Sequence, residues 1–243
     1  MWKNIGVEQC LAFINCQLRS KGKGSPFEPA IRPAVTISRM TGCGGRSVAA
    51  KLAEDLQARA PVDCQWTVFD RNLMEKVLED HHLPKRIAEF LPENHKPMLT
   101  DILEELLGLH PSSWTLVQQT TETIWHLAQM GYVILVGRGA NVITKKLDNV
   151  FHVRLVGSLE KRTAHVQQVY DLGPHDALKF LKQEDKGRRR YLKEHFHEDI
   201  DDPSLYHLVI NTGRIPHDEA ARLIGDAVIN RFRLGRRAEA VLS

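Results

Sequence analysis

A glycine-rich turn between a buried strand and an amphipathic helix constrains the fold of this chain more than any other feature. Residues 34–38, AVTIS, form a short apolar run that is typical of a strand covered on both faces. Residues 47–57 then place apolar side chains on one face of a helix. Between them, Gly42, Gly44 and Gly45 let the backbone curl with its N–H groups inward. A strand, a glycine turn and a helix in this order predict the first unit of an α/β sheet.

The rest of the chain alternates in the same way. Apolar runs predict strands at 63–70, 131–137, 149–157 and 206–212, and helical spacing predicts helices at 71–80, 116–129, 158–170, 178–194 and 218–233. This alternation predicts a parallel sheet with helices on both faces. Ligands of such sheets bind beyond the carboxyl ends of the strands, so residues 38–47, Asp70 and Arg138 should lie around one pocket.

The beginning of the chain has a different character. Residues 5–18 have a roughly helical apolar spacing, and residues 20–33 are rich in Gly, Pro and Lys, which is typical of a linker. We therefore assign residues 1–33 to a helical N-terminal arm with its linker, and residues 34–235 to one α/β domain. The arm should either fold back on its own domain or contact a second copy of the chain in a homodimer.

Composition excludes several classes of protein. The chain has 243 residues with 42% hydrophobic and 26% charged residues, as expected for a soluble globular protein. No apolar run approaches the roughly 18 residues of a membrane span, and no secretory signal is apparent at the N-terminus. The net charge of +3 is too small to argue for nucleic acid. Four cysteines without a CxxC pair, and twelve histidines without an HExxH motif, favour neither a disulfide scaffold nor a metal centre, and a reducing cytoplasm fits best.

The glycine turn has the character of a phosphate-binding loop. Inward N–H groups and the N-terminus of the following helix attract anions, and the Ser47 hydroxyl could reach Mg²⁺. The strict pattern GxxxxGK[ST] fails, however. If Arg46 takes the place of the lysine, Met40 stands at the first glycine; if Gly42-Cys43-Gly44 is aligned with Gly-Ser-Gly, the lysine place falls on Gly45.

Two questions about this turn stay open at the level of sequence. Arg46 or Arg39 can replace the charge of the lysine, although a planar guanidinium differs in shape from an ammonium. Cys43 is either a thiol whose pKa the helix N-terminus lowers, or a small inert loop residue. A glycine turn that binds no ligand is the simplest alternative to the whole interpretation.

Four stretches together resemble the cytidylate kinase-like family, within the P-loop nucleoside monophosphate kinases. The resemblance covers about residues 34–230. The stretches are TISRMTGCGGRSVAAKLAEDL (36–56), VFD (68–70), GYVILVGRGAN (131–141), and DKGRRRYLKEHF (185–196) followed by DDPSLYHLVINTGRIPHDEAARLI (201–224). The resemblance implies a five-stranded parallel sheet of the P-loop NTPase type that binds ATP and Mg²⁺. It also implies an insertion at about 80–115 that covers the acceptor, and a lid at about 180–200.

The same resemblance implies roles for individual residues. Arg138 matches the arginine that holds the acceptor nucleotide, although Gly139 replaces the aspartate of that turn. Asp70 matches a polar position near the acceptor; its alternative is a cap for the helix at 71–80. In the lid, Arg188 and Arg189 match arginines that stabilise the transferring phosphoryl group. Asp185, one helical turn away, is placed to orient either of them; a solvated charged face is the alternative.

These observations predict an ATP-dependent phosphotransferase that acts on a nucleoside monophosphate (CMP-like) or a similar small acceptor. Residues 42–47 would hold the donor phosphates, with Ser47 on Mg²⁺. One alternative is a degenerate kinase that senses a nucleotide without turning it over. The other is a nucleic-acid binder that uses the basic stretches GRRRYLK and RFRLGRR.

Overall fold

A computed structural model describes residues 8, 12–17, 31–62, 64–70 and 114–234 of the chain. The predicted helix at 71–80 and residues 80–113 of the predicted insertion lie outside the described residues. The described part forms one five-stranded parallel sheet with helices on both faces, as the alternating sequence pattern predicted.

The elements follow the order of the predicted ones. The strands are β1 (Ala34–Arg39), β2 (Thr67–Phe69), β3 (Val133–Val136), β4 (Val150–Val156) and β5 (Leu208–Asn211). The helices are α1 (Gly45–Arg59), α2 (Trp114–Met130), α3 (Ala140–Ile143), α4 (Leu159–Tyr170), α5 (Pro174–Phe196) and α6 (His217–Phe232). A 3₁₀ turn (Pro203–Leu205) precedes β5.

The sheet has the strand order β2-β3-β1-β4-β5, and every neighbouring pair is parallel. β1 is the central strand, and Ile37 lies opposite Val136 on one side and Val153 on the other. All four residues of β3 are buried, so both faces of the sheet are covered at this strand. Because parallel strands end on the same edge, the carboxyl ends of β1 and β3 lie side by side.

Sequence patterns located the described strands and the long helices to within a few residues. The Ser158 hydroxyl caps α4 by accepting a hydrogen bond from the Lys161 amide (3.3 Å). Two short elements, α3 and the 3₁₀ turn, were not predicted because each is only about one turn long, too short for a helical spacing of apolar residues to repeat. None of the helices in the described ranges is long and apolar enough to span a bilayer.

The described part of the N-terminal arm packs against its own domain. Residues 12–17 are helical, and Phe13 and Ile14 belong to the main hydrophobic core. The Phe13 ring meets the Phe69 ring of β2 edge-on, with 5.8 Å between centroids. The Arg32 guanidinium donates to the buried Gln17 side chain over 2.8 Å. The first of the two expected positions of the arm, folded back on the domain, is therefore the one observed.

A disulfide joins this arm to the segment before β2. Cys16 and Cys64 are bonded across 48 residues, with their Cα atoms 5.7 Å apart. The expectation from cysteine spacing, that the four cysteines form no disulfide framework, was wrong for this pair. A separation of 48 residues carries no local signal; only the packing of the arm on the domain brings the two thiols together.

Reduction of this disulfide should destabilise the folded chain. A cross-link that closes a loop of this length restricts the unfolded chain, so its loss should lower the free energy of unfolding by about 2–4 kcal/mol. Urea denaturation with and without a thiol reductant measures the change. The matched control is Cys16→Ser, whose stability should not respond to the reductant. Identical unfolding curves for the wild type under both conditions would contradict the prediction.

Candidate active site

A cavity of about 260 Å³ lies at the carboxyl ends of β1 and β3, beneath α5. Among the described residues, three arginines line it, Arg39, Arg138 and Arg188, together with one carboxylate, Glu184. The other lining residues are Ser38, Val136, Gly137, Gly139, Asn141, Gly187, Tyr191, Leu192 and Ile200. α5, which contains most of the predicted lid, thus contributes one wall of a cationic cavity at the edge of the sheet where ligands of this architecture bind.

The glycine loop, residues 40–44, joins β1 to α1 beside this cavity. Gly42 and Gly44 both have positive φ angles, +82° and +67°, which residues with a side chain rarely adopt. A Cβ atom on Gly42 would lie 2.5 Å from the Arg162 carbonyl oxygen, and one on Gly44 would overlap the His217 ring. α1 begins at Gly45, so the amides of its first turn have no acceptor within the helix. This geometry suits an anion.

Asp185 of the lid binds directly to the glycine loop. One of its carboxylate oxygens accepts hydrogen bonds from the Thr41 amide (2.7 Å) and the Thr41 hydroxyl (2.6 Å). The other pairs with Arg162 of α4 at 2.5 Å. The two charged side chains are only 12% and 10% exposed. Asp185 therefore clamps α5 onto the loop and onto α4.

Arg188 lies beside this clamp and reaches the cavity. Its guanidinium donates to the Thr41 hydroxyl, pairs with Glu184 at 3.0 Å and lies 3.4 Å from Asp185. The sequence placed Asp185 to orient Arg188 or Arg189, and the contact is with Arg188. The cationic head is held where the loop, the lid and the cavity meet.

Arg189 points to a different partner. Its guanidinium pairs with Asp201 at 2.8 Å, and Asp201 also binds the buried Arg154 at 2.7 Å. Partial burial would raise the pKa of Asp201, but the bonds to Arg189 and Arg154 outweigh it and lower that pKa. Arg154 continues to the Ser38 hydroxyl over 2.8 Å. Arg189 thus connects the lid to the end of β1 and does not line the main cavity.

Arg46 and Asp70, predicted at the donor and acceptor sides, form an ion pair of 2.6 Å. The Arg46 side chain is 63% exposed and does not line the cavity. Ser47 follows in the first turn of α1 and is partly buried. The ion pair thus joins the end of β2 to the start of α1.

Arg39 and Arg138 stand at the ends of the two central strands. Burial lowers the pKa of Arg39 to about 10, and the nearby charges of Arg188 and Arg46 add to that effect. Arg138 adopts a positive φ angle of +56° in the turn after β3. Its position in the cavity wall agrees with its predicted place at the meeting point of the strand ends.

Cys43 is buried, and desolvation raises the pKa of its thiol. The suggestion that the helix N-terminus lowers this pKa was therefore wrong, because desolvation of the thiolate outweighs the effects of the Thr212 hydrogen bond and of the Arg162 charge, which lower the pKa. Thr212 donates to the Cys43 carbonyl over 3.2 Å. The residue behaves as a small, inert part of the loop.

Several residues of the site escaped the sequence analysis. Arg162 and Thr41, the partners of Asp185, lie 23 and 144 residues from it along the chain. Tyr191 and Asn141 line the cavity. A threonine within the glycine turn was a weak signal for Thr41. Nothing in the local pattern of α4 marked Arg162.

The arrangement fits phosphate groups well. First-turn amides without an acceptor inside α1, a glycine loop and three arginines around one cavity supply hydrogen bonds and positive charge. Ser47 is the side chain of this turn with the oxygen chemistry that Mg²⁺ prefers. The described residues contain no cluster of three or more His, Cys, Asp or Glu side chains arranged to hold a metal ion.

The strand order, the glycine loop after β1 and the helical lid define an α/β fold of the P-loop kinase type. The model of the cytidylate kinase-like family matches residues 34–214. The chain belongs to this family, and nucleotide-binding, kinase-like function follows at that level.

Solved structures add to the account of the fold. An uncharacterised protein from Eubacterium ventriosum is 22% identical, with a TM-score of 0.62 over 82% of this chain and 99% of that one. Shikimate kinase from Bacteroides thetaiotaomicron is 10% identical, with a TM-score of 0.44 over 83% and 99%. The first likeness concerns the fold alone, and the second is too distant to carry an argument. None of the curated proteins matches the chain.

Proposed function

We propose that this protein transfers a phosphoryl group from ATP to a nucleoside monophosphate, CMP-like, or to a similar small acceptor. One observation carries the proposal: Arg39, Arg138 and Arg188 surround one cavity beside a glycine loop, at the carboxyl edge of a parallel sheet. Membership of the cytidylate kinase-like family supports the same chemistry.

The reaction asks for positioning and charge rather than for a covalent role of the protein. An acceptor phosphate oxygen forms a bond to the γ-phosphorus of ATP. The bond from that phosphorus to the bridging oxygen breaks, and ADP leaves with its electron pair. Mg²⁺, when bound, neutralises charge on the donor phosphates, and Ser47 is the residue that would hold it.

The chain's own residues divide the remaining work. The backbone amides of residues 42–47 bind the donor phosphates, and Arg46 or Arg39 replaces the charge of the loop lysine. Arg138 holds the acceptor, with Asp70 near it. In the lid, Arg188 stabilises the charge of the transferring group, and Asp185 holds Arg188 in place. Arg189, also predicted for this role, instead holds the lid to Asp201. Closure of the lid excludes water from these interactions.

Product formation from ATP and Mg²⁺ against a panel of acceptors tests the proposal. The panel contains CMP, dCMP, UMP, AMP, GMP and several phosphorylated sugars, and ADP with the phosphorylated acceptor is measured by chromatography. We expect turnover with at least one nucleoside monophosphate. ATP binding without any phosphorylated product would contradict the proposal.

The absence of a lysine from the glycine loop favours one other function, a nucleotide sensor. In this alternative the site binds a nucleotide and the Asp185 clamp responds to it, but no phosphoryl group moves. Tight ATP binding in calorimetry, together with no phosphorylated product from any acceptor of the panel, would identify a sensor.

Location and assembly remain predictions. We place the protein in the cytoplasm, where ATP and nucleoside monophosphates are available, although a lasting Cys16–Cys64 disulfide is more typical of oxidising compartments. Thiol alkylation of protein taken directly from cells measures the fraction of Cys16 and Cys64 that is reduced.

A homodimer through the N-terminal arm would have to use surfaces other than the buried Phe13 and Ile14, and light scattering measures the mass in solution.

A further inference from the structure

We propose that Arg39 takes the role of the missing loop lysine, because a glycine and a cation have exchanged places in this loop. The inference deepens the proposed phosphoryl transfer and rests on it. It chooses between Arg39 and Arg46, which the sequence left open.

The exchange is visible in one of the two alignments with the pattern GxxxxGK. With Gly44 as the second glycine, the lysine place is Gly45 and the place of the first glycine is Arg39. The cation stands where the pattern has glycine, and glycine stands where the pattern has the cation. The other alignment places Arg46 on the lysine and Ser47 directly after it, but Met40 then replaces the first glycine without compensation.

The structure shows that the two exchanged positions touch. A Cβ atom on Gly45 would lie 3.1 Å from Cγ and 3.3 Å from Cδ of Arg39. The stem of Arg39 therefore crosses the point from which a lysine at position 45 would start. Further along, a Cβ on Gly137 would overlap the Arg39 guanidinium. Glycine at 45 and at 137 opens the path that the arginine side chain follows into the cavity.

The surroundings of the two arginines separate their roles. Arg39 lines the cavity, and within the described part of the chain no hydrogen bond or ion pair joins its guanidinium to another residue. Burial and the charges of Arg188 and Arg46 lower its pKa by more than the carboxylates of Asp70 and Glu184 raise it. Arg46, by contrast, is largely exposed and is paired with Asp70 at 2.6 Å. A phosphate group would gain more from Arg39.

Arg39 and a lysine at position 45 would bring their positive charges to the phosphates from different directions. A lysine at position 45 would reach the phosphates from α1, whereas Arg39 reaches them from the end of β1. The guanidinium presents a planar fork that can bind two phosphate oxygens at once, between the loop and the turn that carries Arg138. One residue can thus contact donor and acceptor phosphates on either side of the cavity.

Moving the cation back provides the test. The double variant Arg39→Gly/Gly45→Lys restores GxxxxGK over residues 39–45. We expect Arg39→Ala to reduce kcat/KM about 10²-fold and to weaken ATP binding measured by calorimetry. The decreases in kcat/KM and in ATP affinity should both be at least about tenfold greater in Arg39→Ala than in Arg46→Ala. The double variant should have a kcat/KM at least about tenfold higher than that of Arg39→Ala. Gly45→Lys alone should be impaired because the new side chain displaces Arg39.

Control variants distinguish the loss of the positive charge at position 39 from a loss of folded protein. Arg59→Ala, at the far end of α1, should leave both measurements unchanged, and Arg39→Lys should retain part of the ATP affinity. Thermal melting checks that each variant folds. An Arg46→Ala variant that is as impaired as Arg39→Ala, or a double variant no better than Arg39→Ala, would overturn the inference. If the wild type binds ATP without forming product, the proposed function is wrong, and the ATP affinities of the two alanine variants still decide between the arginines.

Discussion

Arg188→Ala should lower kcat about 10³-fold and leave the dissociation constant for ATP within about threefold of the wild type. The reason is the position of the guanidinium, which is held between Thr41, Glu184 and the cavity by α5. A cation supplied by a lid acts mainly on charge that develops during transfer, so its loss affects the transition state more than the bound donor. Steady-state kinetics and calorimetry measure the two quantities separately.

The control for this variant lies two residues further along the same helix. Arg190 is 68% exposed and only approaches Glu194 at 3.9 Å, so Arg190→Ala removes the same charge from the lid without touching the cavity. We expect its kcat to stay within about twofold of the wild type. Equal losses of turnover and ATP affinity in Arg188→Ala would instead make Arg188 a binding residue for the donor.

Asp185→Asn should lower the free energy of unfolding by about 3 kcal/mol. The substitution keeps the volume of the side chain but leaves the buried Arg162 guanidinium without its counter-charge. Removal of one member of a buried ion pair costs about 3–5 kcal/mol, and the amide can preserve part of the hydrogen bonding to Thr41. Urea denaturation, with the transition followed by tryptophan fluorescence, gives the difference.

Glu184→Gln is the matched control, one residue earlier in α5. Its carboxylate pairs with Arg188 and is 38% exposed, so the loss should be below about 1 kcal/mol. A double-mutant cycle of Asp185→Asn with Arg162→Gln should show a coupling energy above about 1 kcal/mol. Additive effects of the two substitutions would mean that the pair does not clamp the lid.

Sequence patterns were sufficient for the strands and the long helices because these depend on local periodicity. β3 is a continuous apolar run, as a strand buried on both faces must be. The spacing of Val48, Leu52 and Leu56 marks the buried face of α1. The glycine loop could also be recognised from the sequence. The turn requires positive φ angles at Gly42 and Gly44, and glycine adopts such angles without strain.

The structure brings part of the predicted site together, and the roles assigned to its residues stay predictions. The sequence motifs marked Arg138 after β3 and, through the family resemblance, Arg188 in the lid, and both line the cavity. They did not show that Asp185 would bind Thr41 and Arg162, since each of these contacts joins different elements. Arg189 was grouped with Arg188 because the two are adjacent in sequence, but neighbouring positions on a helix point in different directions, and Arg189 pairs with Asp201.

Periodicity and motif spacing thus established an α/β chain with a parallel sheet and a glycine loop after its first strand. These features are encoded within stretches of about ten to twenty residues, over which side-chain spacing follows backbone geometry. Tertiary structure alone decided that Cys16 bonds to Cys64, that Asp185 clamps the loop, and that Arg39 crosses the lysine place at Gly45. Each of these contacts depends on how separate segments pack in three dimensions, and no local pattern in the chain records that packing.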